Sequence, residues 1–150
     1  MVLFLLFHLG GLALAVIAPP LFELYASKLH SARWLTLVEL GLLLVAVSHL
    51  AISTFKVVAN AQVGNSAKLN SRRNDFFAVF AAGTQSIGGV ILLGFVVVHL
   101  MQFRFSRPAS GAELSVLEAV LDQPVNLIFY VIAAFALGFH LFHGIESAHR

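Results

Sequence analysis

Residues 76–103 have the sequence FFAVFAAGTQSIGGVILLGFVVVHLMQF, which contains no Asp, Glu, Lys or Arg. A helix that crosses a bilayer needs roughly 20 consecutive, mostly apolar residues. This segment satisfies both conditions, and polar residues flank it at Asp75 and Arg104. The stretch therefore predicts a transmembrane helix and decides the fold class of the chain.

The composition of the whole chain agrees with this segment. Of its 150 residues, 59% are hydrophobic and 11% are charged, whereas a soluble domain carries about 25% charged residues. The chain has no cysteine, which excludes disulfides, thiolate metal sites and iron–sulfur clusters held by this chain. Its formal charge of +2 does not favour nucleic acid as a partner. We predict one integral membrane domain over residues 1–150.

Three further apolar segments cover residues 1–18, 37–58 and 124–145. The first stops at Pro19-Pro20 and is apolar from Met1, so we expect the natural helix to begin upstream. Shorter helices are expected at the membrane interface over residues 21–29 and 115–121. Together these segments predict an all-α transmembrane four-helix bundle with short interfacial helices.

Local signals predict where several helices begin. Thr36-x-x-Glu39 and Ser115-x-x-Glu118 have the spacing of capping boxes. Pro124 suits the first turn of a helix. We therefore expect the second span, the second interfacial helix and the last span to begin near these residues.

Four spans place both termini on the same side of the membrane, and Lys/Arg residues set the orientation. The terminal side holds five of them and the opposite side four, which favours cytoplasmic termini in a bacterial inner membrane. The first group is Lys56, Lys68, Arg72, Arg73 and Arg150, and the second is Lys28, Arg33, Arg104 and Arg107.

Each predicted span carries one histidine inside an apolar run: His8, His49, His99 and His140. Ionisable groups at membrane depth are usually functional. Imidazole binds iron, and two histidines saturate a haem iron for electron transfer. A single membrane histidine could equally be a polar group that bonds across helices. Because there is one in every span, we predict the four as axial ligands of two haems that lie between the helices.

The depths of the four histidines predict how they pair. At ~1.5 Å per residue, His49 lies about 18 Å from Leu37, and His140 about 24 Å from Pro124. His99 lies roughly 6–9 Å from the outer end of its span, and His8 about 15 Å from Ala18. The count therefore pairs His49 with His140 nearer the inside, and His8 with His99 nearer the outside.

Other residues near these histidines have two interpretations. Glycines close to them allow close approach of helices or of a flat macrocycle: Gly10, Gly11, Gly88, Gly89, Gly94, Gly138 and Gly144. His143 could face a haem propionate or lie at the interface. His30 and His149 are expected to be solvated.

The chain resembles the di-haem cytochrome b membrane subunit of succinate:quinone reductases and fumarate reductases. The resemblance rests on GGVILLGFVVVHLMQF and NLIFYVIAAFALGFHLFHGIE, and on His8-Leu9-Gly10-Gly11. In that family a glycine stands ten residues before the third-span histidine, as Gly89 does before His99. The family pairs first-span with third-span and second-span with fourth-span histidines, as the depth count does.

The resemblance implies a non-catalytic electron-transfer subunit. A flavoprotein and an iron–sulfur subunit would dock on the inside, and electrons would pass through two b haems to or from a quinone. The basic loop 68–73 is a candidate docking surface, or simply follows positive-inside topology. Candidate quinone-binding residues are Asn60, Gln62, Gln85 and Ser86.

The chain departs from the family at several points. The family has a fifth span after the position of Arg150, an asparagine where Leu12 stands, and in some members a glutamate where Gly138 stands. Two other functions stay open. The chain could be the cytochrome b subunit of a hydrogenase or formate dehydrogenase, or a haem-free membrane anchor for a soluble partner.

Overall fold

The computed structural model of the chain describes residues 1–64, 75–108 and 111–148. Within these residues every regular element is helical. The helices, in chain order, are α1 (Val2–Ile17), α2 (Pro19–Ser31), α3 (Leu35–Gln62), α4 (Phe76–His99), a π-helical turn (Leu100–Arg104), α5 (Glu113–Leu121) and α6 (Pro124–Ala148).

Three helical segments are long and apolar enough to cross a membrane: Leu35–Gln62, Phe76–Arg104 and Pro124–Ala148. Each covers a predicted span, and their length and composition are those of an integral membrane protein. The predicted span over residues 1–18 forms α1, a helix of 16 residues. Its length of about 24 Å is less than the ~30 Å hydrocarbon core. A membrane crossing by residues 1–18 therefore stays a prediction.

Both capping boxes predicted from the sequence are wrong. Helix α3 begins at Leu35, its N-cap is Trp34, and no side chain caps it. Helix α5 begins at Glu113 rather than at Ser115, whose hydroxyl donates to the carbonyl of Ala112 at 2.9 Å. Pro124 does begin α6, as predicted.

The chain divides into two compact units. The first is Met1–Ser66 with Ala109–Ser115, and the second is Ala67–Pro108 with Val116–Arg150. In the first unit α1 packs on α2, and this contact brings the ring of Tyr25 against Gly11. No residue of α3 is buried.

The second unit is built on the pairing of α4 with α6. Phe80 meets Phe139 with ring centroids 5.0 Å apart, and Phe95 meets Phe129 at 6.0 Å. Residue numbers rise along α4 as they fall along α6, so the two helices are antiparallel. Alanines fill their interface, because small side chains let helices approach closely; the buried ones are Ala78, Ala81, Ala82 and Ala133.

The α4 helix does not end at His99 but widens into the π-helical turn. The backbone N–H of Phe105 donates to the carbonyl of Leu100, five residues earlier, at 2.9 Å. Turns of this kind are rare and are frequently found at functional sites. Here the turn directly follows a candidate ligand.

Candidate functional site

The two candidate histidines of the first unit lie near the middle of their helices. His8 follows Val2 by six residues in α1, and His49 follows Leu35 by fourteen in α3. Both side chains are exposed on the surface of the chain. The ring of His8 stacks on Phe4, with centroids 5.5 Å apart.

The two candidate histidines of the second unit lie at different levels. A Cβ atom added to Gly89 would lie 3.7 Å from Cε1 of His140, so the His140 ring is at the level of Gly89. His99 stands ten residues further along α4, which corresponds to about 15 Å along the axis. Both side chains are half-buried.

The ring of His99 is held by a hydrogen-bonded side-chain network. Its Nδ1 atom lies 3.2 Å from the hydroxyl oxygen of Tyr130. That hydroxyl donates to Oε1 of Gln102 at 2.7 Å. The Gln102 amide donates to Oδ1 of Asn126 at 3.3 Å, and the Asn126 amide donates to the carbonyl of Val120 at 3.0 Å. Three polar side chains therefore join His99 to a backbone carbonyl near the end of α5.

Aromatic rings complete the surroundings of His99. Phe95 stacks on the imidazole with centroids 5.4 Å apart, and Phe103 lies at 5.3 Å. Tyr130 also meets Phe95 edge-on at 4.9 Å. The imidazole is thus fixed between apolar faces, with its polar edge turned to the Tyr130 hydroxyl.

His140 borders an apolar cavity of about 210 Å³ between α4 and α6. Gly88, Ile91 and Phe139 are among its other lining residues. Small-molecule sites usually have roughly 300–1,000 Å³, so this cavity could receive only part of a large planar group.

The Tyr130 network was not predicted from the sequence, although the spacing of its residues gave a signal. Asn126 and Tyr130 stand four residues apart, and His99 and Gln102 stand three apart. Residues at these spacings share a helix face. If α4 and α6 had been expected to pack on each other, these two polar pairs would have predicted a contact between the two helices.

His143 is the one buried histidine among the described residues. Its side chain is buried, and its Nδ1 atom lies 3.9 Å from Oε2 of Glu146. Nδ1 of His143 and Oε1 of Gln85 are both buried without a hydrogen-bond partner in the described part of the chain. Buried polar atoms of this kind call for an explanation, and a bound polar group would supply one.

The candidate quinone-binding residues divide between the two units. Asn60 and Gln62 lie exposed at the end of α3. In α4, Gln85 is half-buried and Ser86 is exposed. The basic loop 68–73 lies outside the described residues, as do His149 and Arg150.

The candidate glycines have different neighbours. A Cβ atom at Gly11 would meet Tyr25, and one at Gly88 would lie 3.8 Å from the carbonyl oxygen of Ala136. These two contacts fit the helix-packing interpretation. A Cβ atom would meet nothing within 4 Å at four others, Gly10, Gly94, Gly138 and Gly144.

A carboxylate cluster ties the start of α5 to α2 within the first unit. The carboxylate of Glu23 accepts the backbone N–H of Leu114 at 2.8 Å and that of Glu113 at 3.3 Å. The Glu113 carboxylate, itself buried, accepts the N–H of Gly111 at 2.8 Å and lies 3.3 Å from Nδ1 of His30. His30 was expected to be solvated, but its ring faces this carboxylate.

The cluster shifts the titration of Glu113. Burial acts to raise its pKa, but the hydrogen bonds from Glu23 and from the backbone, with the nearby His30, outweigh burial and lower it. The group is therefore held as the carboxylate, which is the form that accepts the backbone N–H of Gly111.

Among the described residues, no group of three or more His, Asp or Glu side chains could hold a metal ion. A bis-histidine haem needs only two protein ligands. The absence of such a group therefore bears on metal ions bound by side chains alone and does not test the haem prediction. No family model matches the chain, and comparison with curated proteins and with solved structures finds no match.

Proposed function

We propose that this chain is the membrane-anchor cytochrome b subunit of a succinate dehydrogenase or fumarate reductase. In this proposal it carries electrons through two bis-histidine b haems between an iron–sulfur subunit and a quinone. The observation that carries it is that every membrane-crossing helix has a histidine within its apolar run, and these are His49, His99 and His140. The resemblance of the sequence supports the choice of complex.

The chemistry of the residues fits a b haem. The donors are imidazoles, and the aromatic lining around His99 provides a setting of low polarity. Histidines that bind metals usually donate their other ring N–H to a neighbouring acceptor, and the Tyr130 oxygen stands 3.2 Å from Nδ1 of His99. When bound, a haem supplies one-electron chemistry whose potential depends on axial ligands, hydrogen bonding and burial.

The ligand pairs come from the sequence, as His49 with His140 and His8 with His99. Each pair joins a residue of one unit to a residue of the other, so the pairing stays a prediction. The separation of His99 and His140 along their own unit, about 15 Å at 1.5 Å per residue, favours assigning them to different haems.

The soluble partners in this proposal are a flavoprotein and an iron–sulfur subunit on the cytoplasmic face of a bacterial inner membrane. Gln85 is the strongest of the four quinone candidates, because its Oε1 atom is buried without a partner in the described chain. A quinol hydroxyl would supply the missing donor. The neighbouring Ser86 is exposed, so no comparable observation favours it as a quinone-binding residue.

Reduced-minus-oxidised absorption spectra of the purified full chain test the proposal. We expect a b-type spectrum with two haems per chain. His49→Ala and His140→Ala should each remove the same haem and leave the other. His30→Ala is the control, since it removes a histidine of α2, outside the three membrane-crossing helices, and should leave both haems.

The outcomes separate the alternatives. A chain that binds no haem after haem-replete expression would be a membrane anchor without electron transfer. A di-haem chain that purifies with a hydrogenase or formate dehydrogenase, rather than with a flavoprotein and iron–sulfur protein that oxidise succinate, would belong to the other complexes. Loss of neither haem in His49→Ala and His140→Ala would reject the ligand assignment.

A further inference from the structure

The network beside His99 has a fixed direction, which begins at a backbone carbonyl. The Val120 carbonyl can only accept a hydrogen bond. The Asn126 side chain lies 3.0 Å from it and must therefore present its NH₂ group there. Its amide oxygen then points to the other neighbour, Gln102.

The same logic orients the next two members. Because the Asn126 oxygen accepts, Gln102 must present its NH₂ group to it, at 3.3 Å. The Gln102 oxygen consequently faces Tyr130 and accepts its hydroxyl proton at 2.7 Å. A tyrosine hydroxyl has only one proton to donate, so towards His99 the Tyr130 oxygen offers only lone pairs.

We infer that Tyr130, Gln102 and Asn126 lock neutral His99 as the tautomer protonated on Nδ1. The contact between Nδ1 and the Tyr130 oxygen, 3.2 Å long, is then a hydrogen bond donated by the ring. The lone pair of the imidazole lies on Nε2. Without the relay a tyrosine hydroxyl could rotate and serve as either donor or acceptor, and both tautomers would be compatible with the contact.

This tautomer is a property of the chain itself and does not depend on the proposed function. It also bears on that function, since a histidine binds iron through the nitrogen that carries the lone pair. Donation from the other ring nitrogen orients the ring and raises the basicity of the ligand. Tyr130 is therefore a positioning residue for His99, and Gln102 and Asn126 act through it.

Nitrogen-15 NMR of histidine-labelled full chain in lipid nanodiscs, prepared without added haem, reads the tautomer directly. The His99 signals are identified by their loss in His99→Gln. We expect a protonated Nδ1 and an unprotonated Nε2 in the wild type. Tyr130→Phe should end the predominance of this tautomer. Tyr25→Phe, the same change at the only other tyrosine, should leave it unchanged.

Two substitutions of Gln102 test the direction of the relay and serve where Tyr130→Phe does not fold. Gln102→Leu removes the acceptor for the Tyr130 hydroxyl, so the hydroxyl becomes free to donate to the ring, and the tautomers should mix. Gln102→Glu keeps an acceptor for that hydroxyl, so the Nδ1-protonated form should persist. Equal spectra for the two variants would overturn the relay.

The haem provides an independent readout. If His99 is an axial ligand, Tyr130→Phe should weaken retention of one haem by about 10- to 100-fold and shift its midpoint potential to a more positive value. A wild type with Nε2 protonated would overturn the inference whatever haem it binds. A chain with the expected tautomer but no haem would leave the inference standing and reject the proposed function.

Discussion

Adjacent glycines in α1 provide a matched pair of substitutions. Gly10 and Gly11 differ in their surroundings, because an added Cβ meets nothing at Gly10 but approaches Cζ of Tyr25 to 2.9 Å, and Cε1 more closely, at Gly11. We predict that Gly11→Ala weakens the packing of α1 on α2, and that Gly10→Ala does not.

The magnitude follows from two opposing effects. Replacing glycine by alanine within a helix stabilises it by about 1 kcal/mol, and this gain is common to both variants. The added carbon at Gly11 must push aside the ring of Tyr25, which is 37% exposed and can move. The cost of overpacking, about 1–3 kcal/mol in a full core, is therefore expected at its low end, about 1 kcal/mol, and it applies only at Gly11. Gly11→Ala should accordingly be less stable than Gly10→Ala by about 1 kcal/mol, because the helix term cancels between them.

The free energy of unfolding can be measured by denaturant titration in mixed micelles. Trp34 is the only tryptophan of the chain and belongs to the same unit as α1 and α2, so its fluorescence reports on that unit. Tyr25→Ala removes the ring that the new Cβ meets. In that background the difference between the two alanine variants should vanish. Equal stability of Gly10→Ala and Gly11→Ala with Tyr25 present would refute the packing argument.

Three further predictions concern the ends of helices. Glu23→Ala should destabilise the start of α5 by about 0.5–2 kcal/mol, the range for loss of a helix cap, seen as faster hydrogen exchange at Leu114; unchanged exchange would contradict it. The pKa of Glu113 is lowered in the folded chain, so its contribution to stability is present above the unfolded-state pKa and is lost as pH falls through the folded value. The melting temperature of Glu113→Gln should accordingly fall less on acidification than that of the wild type, and equal slopes would be evidence against this. Asp75 caps α4 by accepting the N–H of Ala78 at 2.9 Å, so Asp75→Ala should lower the free energy of unfolding by about 1 kcal/mol, and Asp75→Asn, the control, by less.

The helices that could be predicted are those in which polar residues flank the apolar stretch at its ends. The segment 76–103 lies between Asp75 and Arg104, and the observed helical segment is Phe76–Arg104. Pro124 likewise marked the start of α6. In these places the chain must bury its backbone polar groups within a helix, and composition alone predicts the result.

Helix caps without such limits were predicted incorrectly. Thr36 and Ser115 each precede a glutamate at capping-box spacing, yet both lie inside their helices. A capping box contributes only about 1 kcal/mol, which a long-range contact can exceed. At α5 the contact is with Glu23, about ninety residues earlier in the chain, and local spacing carries no information about it.

The candidate ligands were predictable as residues but their surroundings were not. A histidine in an apolar run is visible in any sequence. The hydrogen-bond network at His99, and the direction in which its members donate, depend on the register of α4 against α6. That register places Tyr130 beside His99 and Gln102 beside Asn126. One-dimensional spacing can identify a shared helix face, but it does not fix which faces meet.

The π-helical turn has a consequence for how the helical segment ends. In an α-helix the backbone N–H of Phe105 would bond to the carbonyl of Met101, four residues earlier. Here that N–H bonds to the carbonyl of Leu100 instead, and the Met101 carbonyl accepts the hydroxyl of Ser106 at 2.8 Å. The last turn therefore depends on a side-chain donor, and the identity of residue 106 matters to the backbone of the turn before it.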